Sequence, residues 1–274
     1  MSGDMSGGMR GGEGRGVIGI IGGSGLYQLL DGARDAVVDT PYGPPSSPVS
    51  RGVIDSREVA FITRHGRNHD IAPHAINYRA NLWALRSLGC DTVLTSSAVG
   101  SLRSTFAPGD FVLCDQFVDR TRGRVDTFFD GPRVVHVSMA DPYCPALRAA
   151  AQQVLSAAAE TFHPTGTAVV IQGPRFSTRA ESAWFRQMGA DVLSMTQHPE
   201  TTLARELEMC CVNLSFVTDY DGGVEGTDEA AVTGGAVWRR LAEHADRIRR
   251  TIGAIVAAIP DERGCGCRSA LADT

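Results

Sequence analysis

Residues 193–223 read LSMTQHPETTLARELEMCCVNLSFVTDYDGG. Met195 and Thr196 follow a short apolar run at 192–193 and precede Pro199 and Glu200. That order predicts a strand, a turn and then a helix with proline in its first turn and an acid near its N-terminus. Residues 211–217 are apolar enough for a buried strand, and Thr218, Asp219, Tyr220 and Asp221 stand at its end. Two carboxylates and a threonine thus sit at the mouth of a buried sheet. In open α/β sheets, ligands bind beyond the carboxyl ends of the strands.

Working outward, residues 17–25 read VIGIIGGSG, a β-branched strand running into glycines around Ser24. Such a turn lets backbone amides and one hydroxyl approach an anion, although a plain glycine-rich turn fits equally. Strands are expected over 36–40, 49–55 and 59–63, the last leading into RHGRNH at 64–69. Arg64 there can fork two hydrogen bonds onto a phosphate and His65 can add another; a solvated basic turn is the alternative. Ile76, Ala80 and Trp83 share a stripe at helical spacing over 76–88. A strand over 91–97 opens into SSAVGS, where Ser97 and Ala98 meet a strand end. Ser24, Arg64, His65, Ser97 and Thr196 together offer what a dianion needs, several neutral donors and one cation.

Further along, a helix is expected over 145–159 and a strand over 167–172, followed by GPRFSTRAES at 173–182. Phe176 in that loop could stack on a flat base or plug the core beneath the loop. Ala180, Trp184 and Met188 share one face of the next helix. His136 lies among apolar residues, where a histidine is more often a satisfied structural group than a ligand. Ile248, Ile252, Ile255 and Ile259 mark a long C-terminal helix whose start Gly234 and Gly235 could break.

Strand and helix signals alternate across the 274 residues without a linker-like break, which indicates one α/β domain. A net charge of -5 argues against nucleic-acid and membrane-surface partners and leaves small molecules as the default. No apolar run is long enough to span a bilayer. Residues 1–16 lack the apolar core of a secretory signal and are expected to be a disordered tail. Seven scattered cysteines fit a cytoplasmic protein with reduced thiols.

IGIIGGSGLY, TRHGRNHDIAPHAINYRANLWAL, SSAVGSL, PGDFVLCDQFVDRT, GPRFSTRAES, MTQHPE and VTDYD occur in this order over about 17–259. In these motifs the chain resembles the trimeric purine nucleoside phosphorylases, and within them the methylthioadenosine-cleaving branch. The resemblance implies a single domain over 17–260 with a central mixed β-sheet flanked by helices. It further implies a homotrimer or a dimer of trimers with sites near subunit interfaces, and inorganic phosphate as co-substrate with no metal or redox cofactor. By position, Ser24, Arg64, His65, Ser97, Ala98 and Thr196 match phosphate-binding residues. Met195 matches the residue at the ribose hydroxyls, Phe176 and Ser177 those around the base, and His136 one that reaches a neighbour's site. Asp219 and Asp221 match the acidic pair at the base.

Phosphorolysis of a purine nucleoside builds positive charge on the sugar and negative charge on the departing base. A phosphate beside the sugar stabilises the first, and a proton at N7 the second. A carboxylic acid supplies that proton if burial and a second carboxylate favour its neutral form. Asp219 with Asp221 is such an arrangement, while capping a helix or holding a divalent cation is the bland alternative. Adenine offers an acceptor at N7 and a donor at N6, whereas 6-oxopurines offer two acceptors, so aspartate favours the 6-aminopurine. An inosine- or guanosine-cleaving phosphorylase, a nucleoside hydrolase and a non-catalytic nucleoside-binding protein are the competing functions. Gln197, His198 and Trp238 depart from the family pattern and leave the 5' substituent less defined than the base. The CGC at 265–267, in a flexible tail expected over 261–274, reads as two idle thiols, since a zinc site needs ligands at other spacings.

Overall fold

The computed structural model describes residues 16–274 except 24, 25, 27, 28, 31, 225, 228, 229 and 273. Strands β1 (Val17–Gly22), β2 (Arg34–Ala36), β3 (Val49–Ile54) and β4 (Arg57–Thr63) come first, followed by helix α1 (Tyr78–Ser87) and the long strand β5 (Cys90–Ser101). Then come β6 (Phe111–Val112), β7 (Gln116–Arg120), α2 (Pro145–Ala157), β8 (Phe162–His163), β9 (Thr167–Ile171), α3 (Arg179–Gln187) and β10 (Val192–Ser194). Helix α4 (Gln197–Glu206), strand β11 (Cys210–Asp219) and helix α5 (Gly234–Ala258) complete the order. Among the described residues, all eleven strands belong to one mixed sheet, in the order β2-β3-β4-β1-β5-β10-β9-β7 with β11, β6 and β8 branching from β5.

Strand β5 organises this sheet. One of its edges pairs in parallel with β11 from Thr92 to Gly100. The other edge is shared: β1 runs parallel to it as far as Ile21 opposite Thr95, and β10 enters antiparallel with Leu193 opposite Gly100. The C-terminal ends of β1 and β10 therefore point at each other and leave residues 96–99 of β5 without a strand on that side. This is a topological switch point, where open sheets place their ligands.

The alternation along β11 divides the core. Cys210, Val212, Leu214 and Phe216 point to the face covered by α2 and α5, against Leu147, Leu155, Ile248, Ile252 and Ile255. Cys211 and Val217 face α1 and α4, against Leu82, Leu85, Leu203 and Ala204. Between them on that face stand two buried polar residues, Asn213 and Ser215. Period-two burial on both faces is what a fully covered strand requires.

Local signals set the helix starts. The Asn77 side chain accepts from the Ala80 N–H at 3.1 Å and starts α1. Thr178 and Glu181 form a reciprocal capping box at α3. Thr233 caps α5 by accepting from Ala236 N–H at 3.2 Å, so Gly234 and Gly235 open this helix instead of breaking it. The strand expected over 36–40 forms only as the short β2, paired with β3. On α3 the shared face of Ala180, Trp184 and Met188 looks outward, with Trp184 46% exposed, while Ser182 and Phe185 turn inward.

The described residues of 261–274, expected as a flexible tail, lie against the body. Arg263 and Arg268 both reach the Asp91 carboxylate, and Cys267 is buried among the residues of the α2 and α5 face. Long-range ion pairs and a thiol buried by distant elements leave no trace in local composition. No described helix is long and apolar enough to cross a membrane.

Leu94, fully buried in β5, tests the central packing. Leu94→Ala should lower unfolding free energy by about 2–5 kcal/mol, through lost burial and the cavity left behind. Urea denaturation measures it, and a loss below about 1 kcal/mol would mean that this strand is not the packing centre.

Candidate active site

A cavity of about 490 Å³ opens over residues 97–100 of β5, between the facing ends of β1 and β10. Gly23, Arg64, His65, Ser97, Ala98 and Thr196 line one end of it, and Asp219 and Asp221 another. Phe176, Met195, His69 and Trp238 also line it.

At the first end, Arg64 directly follows β4 and is 1% exposed. Its Nε and Nη2 donate to the two Glu200 carboxylate oxygens at 2.5 and 2.9 Å. Nη1 donates to Ser96 O at 2.8 Å and Nη2 also to Ile21 O at 3.3 Å. Four of the five guanidinium N–H groups are thus held by the described residues, and one Nη1 N–H remains for a ligand. Gly23 permits this approach, since a Cβ there would stand 2.7 Å from Nη1. Complete burial pushes the Glu200 carboxyl upward and Arg64 pulls it down; the bidentate geometry is that of a carboxylate holding a guanidinium.

His65 is also buried, and its Nδ1 lies 2.9 Å from Ile71 O. A carbonyl only accepts, so Nδ1 carries the proton and Nε2 of the neutral ring is an acceptor. Burial, helped by the Arg64 charge, pushes the His65 pKa from 6.5 down to about 4. Ser97 is oriented from behind. Asn213 Nδ2 donates to Ser97 Oγ at 3.1 Å, which leaves the Ser97 hydroxyl hydrogen to donate elsewhere. Asn213 is itself held by Ser215, which donates to Oδ1 at 2.6 Å, and Gln197 Nε2 donates to Ser215 at 3.0 Å. Tyr143 closes the chain by donating to Gln197 Oε1.

At the second end, Asp219 Oδ2 accepts from Thr218 Oγ1 at 2.7 Å, and Oδ1 accepts from the Asp221 N–H at 2.7 Å. Both Ser177 and Ser182 donate to Asp221 Oδ2. Gly100 makes room for the pair, because a Cβ there would lie 3.0 Å from Asp219 Oδ1 and 3.0 Å from Asp221 Cβ. With hydroxyl and amide donors aimed at their oxygens, the two acids form a hydrogen-bonded pair facing the cavity. Trp238, in the second turn of α5, meets His69 edge-on with ring centroids 4.7 Å apart at the rim.

The structure gathers Arg64, His65, Ser97, Ala98, Thr196, Met195, Phe176, Trp238, Asp219 and Asp221 around one cavity. Ser24 lies outside the described residues. Ser177, expected against the base, does not line the cavity; its hydroxyl is spent on Asp221 and Ser182 and acts through them. His136 is exposed and outside this chain's cavity. Gln197 and His198 turn away from it: Gln197 joins the buried polar chain, and His198 Nε2 lies 3.5 Å from both Asp119 and Asp126. Sequence reading missed Glu200, Asn213, Ser182 and Gly100 as parts of the site. For Glu200 the helix-start signal masked the role, since any acid near Pro199 satisfies that pattern.

The low His65 pKa fixes the sign of a pH effect. Below pH 6.5 the unfolded chain takes up a proton that folded His65 refuses until about pH 4. Stability from this residue is therefore complete above pH 6.5 and lost as pH falls toward 4, by about 3 kcal/mol at the end of that window. His65→Asn should flatten the difference between the stabilities at pH 7 and pH 4.5, read by urea denaturation. Equal pH dependence in both proteins would place the effect elsewhere.

Residues 17–259 match the family model described as the phosphorylase superfamily. An S-methyl-5'-thioadenosine phosphorylase of Thermofilum pendens is 52% identical over 256 residues, 93% of this chain and 96% of that protein. A purine nucleoside phosphorylase of Streptomyces coelicolor is 52% identical over 266 residues, covering 93% and 94% of the two chains. Among solved structures, methylthioadenosine phosphorylase of Schistosoma mansoni with adenine has a TM-score of 0.85 at 35% identity, over 90% of this chain and 92% of that one. With a cavity at the sheet's switch point and this match along nearly its whole described length, the chain belongs to the phosphorylase superfamily.

Proposed function

We propose that this chain is a pentosyltransferase that uses phosphate to cleave the N-glycosidic bond of 5'-methylthioadenosine. The products are adenine and 5-methylthioribose 1-phosphate. The observation that carries this reading is one cavity with an anion-holding end at Arg64, His65, Ser97 and Thr196 and an acid pair at Asp219 and Asp221. A nucleoside-binding protein or a hydrolase has no use for the first end.

The remaining Arg64 N–H, the Ser97 hydroxyl and Thr196 receive a phosphate dianion. The neutral His65 Nε2 accepts from its one P–OH. Phosphate attacks C1' as the bond to N9 breaks, and its charge stabilises the cationic sugar. Electrons flow into the purine, and Asp219 delivers a proton to N7. Thr218 allows Asp219 both protonation states, because its hydroxyl lies 2.7 Å from Oδ2 and 3.3 Å from Val99 O. It donates to the carboxylate, or accepts from the acid and donates to Val99. Asp221, held by two serine hydroxyls, keeps its oxygens fixed beside this exchange.

Phe176 and Met195 form the walls beside base and ribose, and Trp238 with His69 bounds the mouth where a 5' substituent emerges. His136 would serve a neighbouring subunit's site in a homotrimer or a dimer of trimers. Inorganic phosphate is the co-substrate, no metal or redox cofactor enters the reaction, and the protein works in the cytoplasm in purine salvage.

The deciding assay follows base release from 5'-methylthioadenosine, adenosine and inosine, with and without phosphate. Phosphate-dependent adenine release, fastest from methylthioadenosine, is expected; hypoxanthine from inosine as the main product would overturn the base assignment. Asp219→Asn should lower kcat on methylthioadenosine by roughly 10²–10⁴-fold and shift relative preference toward inosine. An unchanged ratio of kcat/KM between the two substrates would remove Asp219 from base recognition.

A further inference from the structure

Four cysteines that take no part in the reaction meet where β11 begins, at the other end of that strand from Asp219. Cys144 is the N-cap of α2, Cys210 opens β11, and Cys265 and Cys267 flank Gly266 in the C-terminal segment. Their Sγ atoms all lie within 4.8 Å of one another, and those of Cys210 and Cys265 are 3.5 Å apart. Three of the four are buried and Cys265 is half-buried. Among the described residues no other group of histidine, cysteine and acidic side chains converges in this way.

We propose that Cys144, Cys210, Cys265 and Cys267 form a closed tetrathiolate site for a structural zinc ion. Zinc prefers four ligands in a tetrahedron, with thiolate bonds of about 2.3 Å, so the sulfurs of such a site stand about 3.8 Å apart. The observed spread brackets that spacing without backbone movement. Thiolates are soft ligands and select zinc over magnesium or calcium. Four protein ligands leave no position for water or substrate, which makes the site structural and not catalytic.

The surroundings suit an anionic cluster. A zinc ion with four thiolates carries a net charge of -2. Arg205 in the last turn of α4 donates from Nη1 to Cys267 Sγ at 3.5 Å and offsets part of it. Cys144 stands at the positive end of the 13-residue α2, where a thiolate is favoured. On binding, each thiol gives its proton to solvent and its sulfur lone pair to the metal, with no change of oxidation state. The ion would join the C-terminal segment to α2 and β11, beside the anchors that Arg263 and Arg268 already make on Asp91. The remaining cysteines, Cys90, Cys114 and Cys211, are buried outside this group.

The test uses the full-length protein prepared under reducing conditions, with metal content measured by plasma mass spectrometry. About one zinc per chain is expected. The double variant Cys265→Ser with Cys267→Ser should bind it roughly tenfold or more weakly while retaining phosphorolysis. Metal-stripped wild type titrated with cobalt(II) should develop the intense visible bands and sulfur charge-transfer bands of a tetrahedral tetrathiolate. That titration decides the matter even if the double variant does not fold. Zinc-free protein that gives no cobalt spectrum and has four reactive thiols would overturn the proposal. So would intact-mass loss of two hydrogens per sulfur pair, which marks disulfides.

Discussion

The Arg64–Glu200 pair is the interaction on which this site depends. Both side chains are 1% exposed, and the partners come from the residue after strand β4 and from helix α4, 136 residues apart. Two charges taken out of water cost several kcal/mol each, and only close, bidentate geometry with further hydrogen bonds offsets that. Here Ser96 O and Ile21 O supply those bonds from β5 and β1. A single guanidinium thus ties together the strand ends that bound the cavity. Glu200 also offsets the Arg64 charge at the pocket, so an incoming dianion meets a fixed donor array instead of a bare cation. Removing one partner would strand the other charge in the interior.

Polar groups buried behind the cavity extend the same logic. Asn213 and Ser215 occupy positions in β11 where alternation would place apolar side chains. Their reward is a directed chain from Tyr143 through Gln197, Ser215 and Asn213 to Ser97, each member satisfied by the next. Such a chain sets which way the Ser97 hydroxyl points before any ligand arrives. At the opposite end, Ser177 and Ser182 do the same for Asp221. Preorganised donors of this kind need little rearrangement as charge develops.

Much of the site was legible because its residues sit at strand ends, and strand ends are visible as apolar runs stopping at polar clusters. Arg64, His65, Thr196, Asp219 and Asp221 follow that pattern, whereas Ser97, expected at the end of a strand over 91–97, lies inside β5, which runs on to Ser101. What stayed hidden was which side chains face the ligand and which face each other. Ser177 and Gln197 are polar residues at the right places in the chain, yet they serve Asp221 and Ser215. A one-residue step along a turn or strand reverses a side chain's direction, and composition does not record the step. The cysteines show the same limit, since the CGC segment is two thiols in sequence and four in space.

By itself, then, the sequence determined the alternation of strands and helices, the two covered faces of β11 and the chemical inventory of the site. Those follow from local periodicity, capping and the apolar runs. Only the tertiary structure decided that β1 and β10 share one edge of β5 and end facing each other over residues 96–99. The opening they leave is a property of strand order, set by pairings between segments far apart in the chain, and no local pattern encodes it.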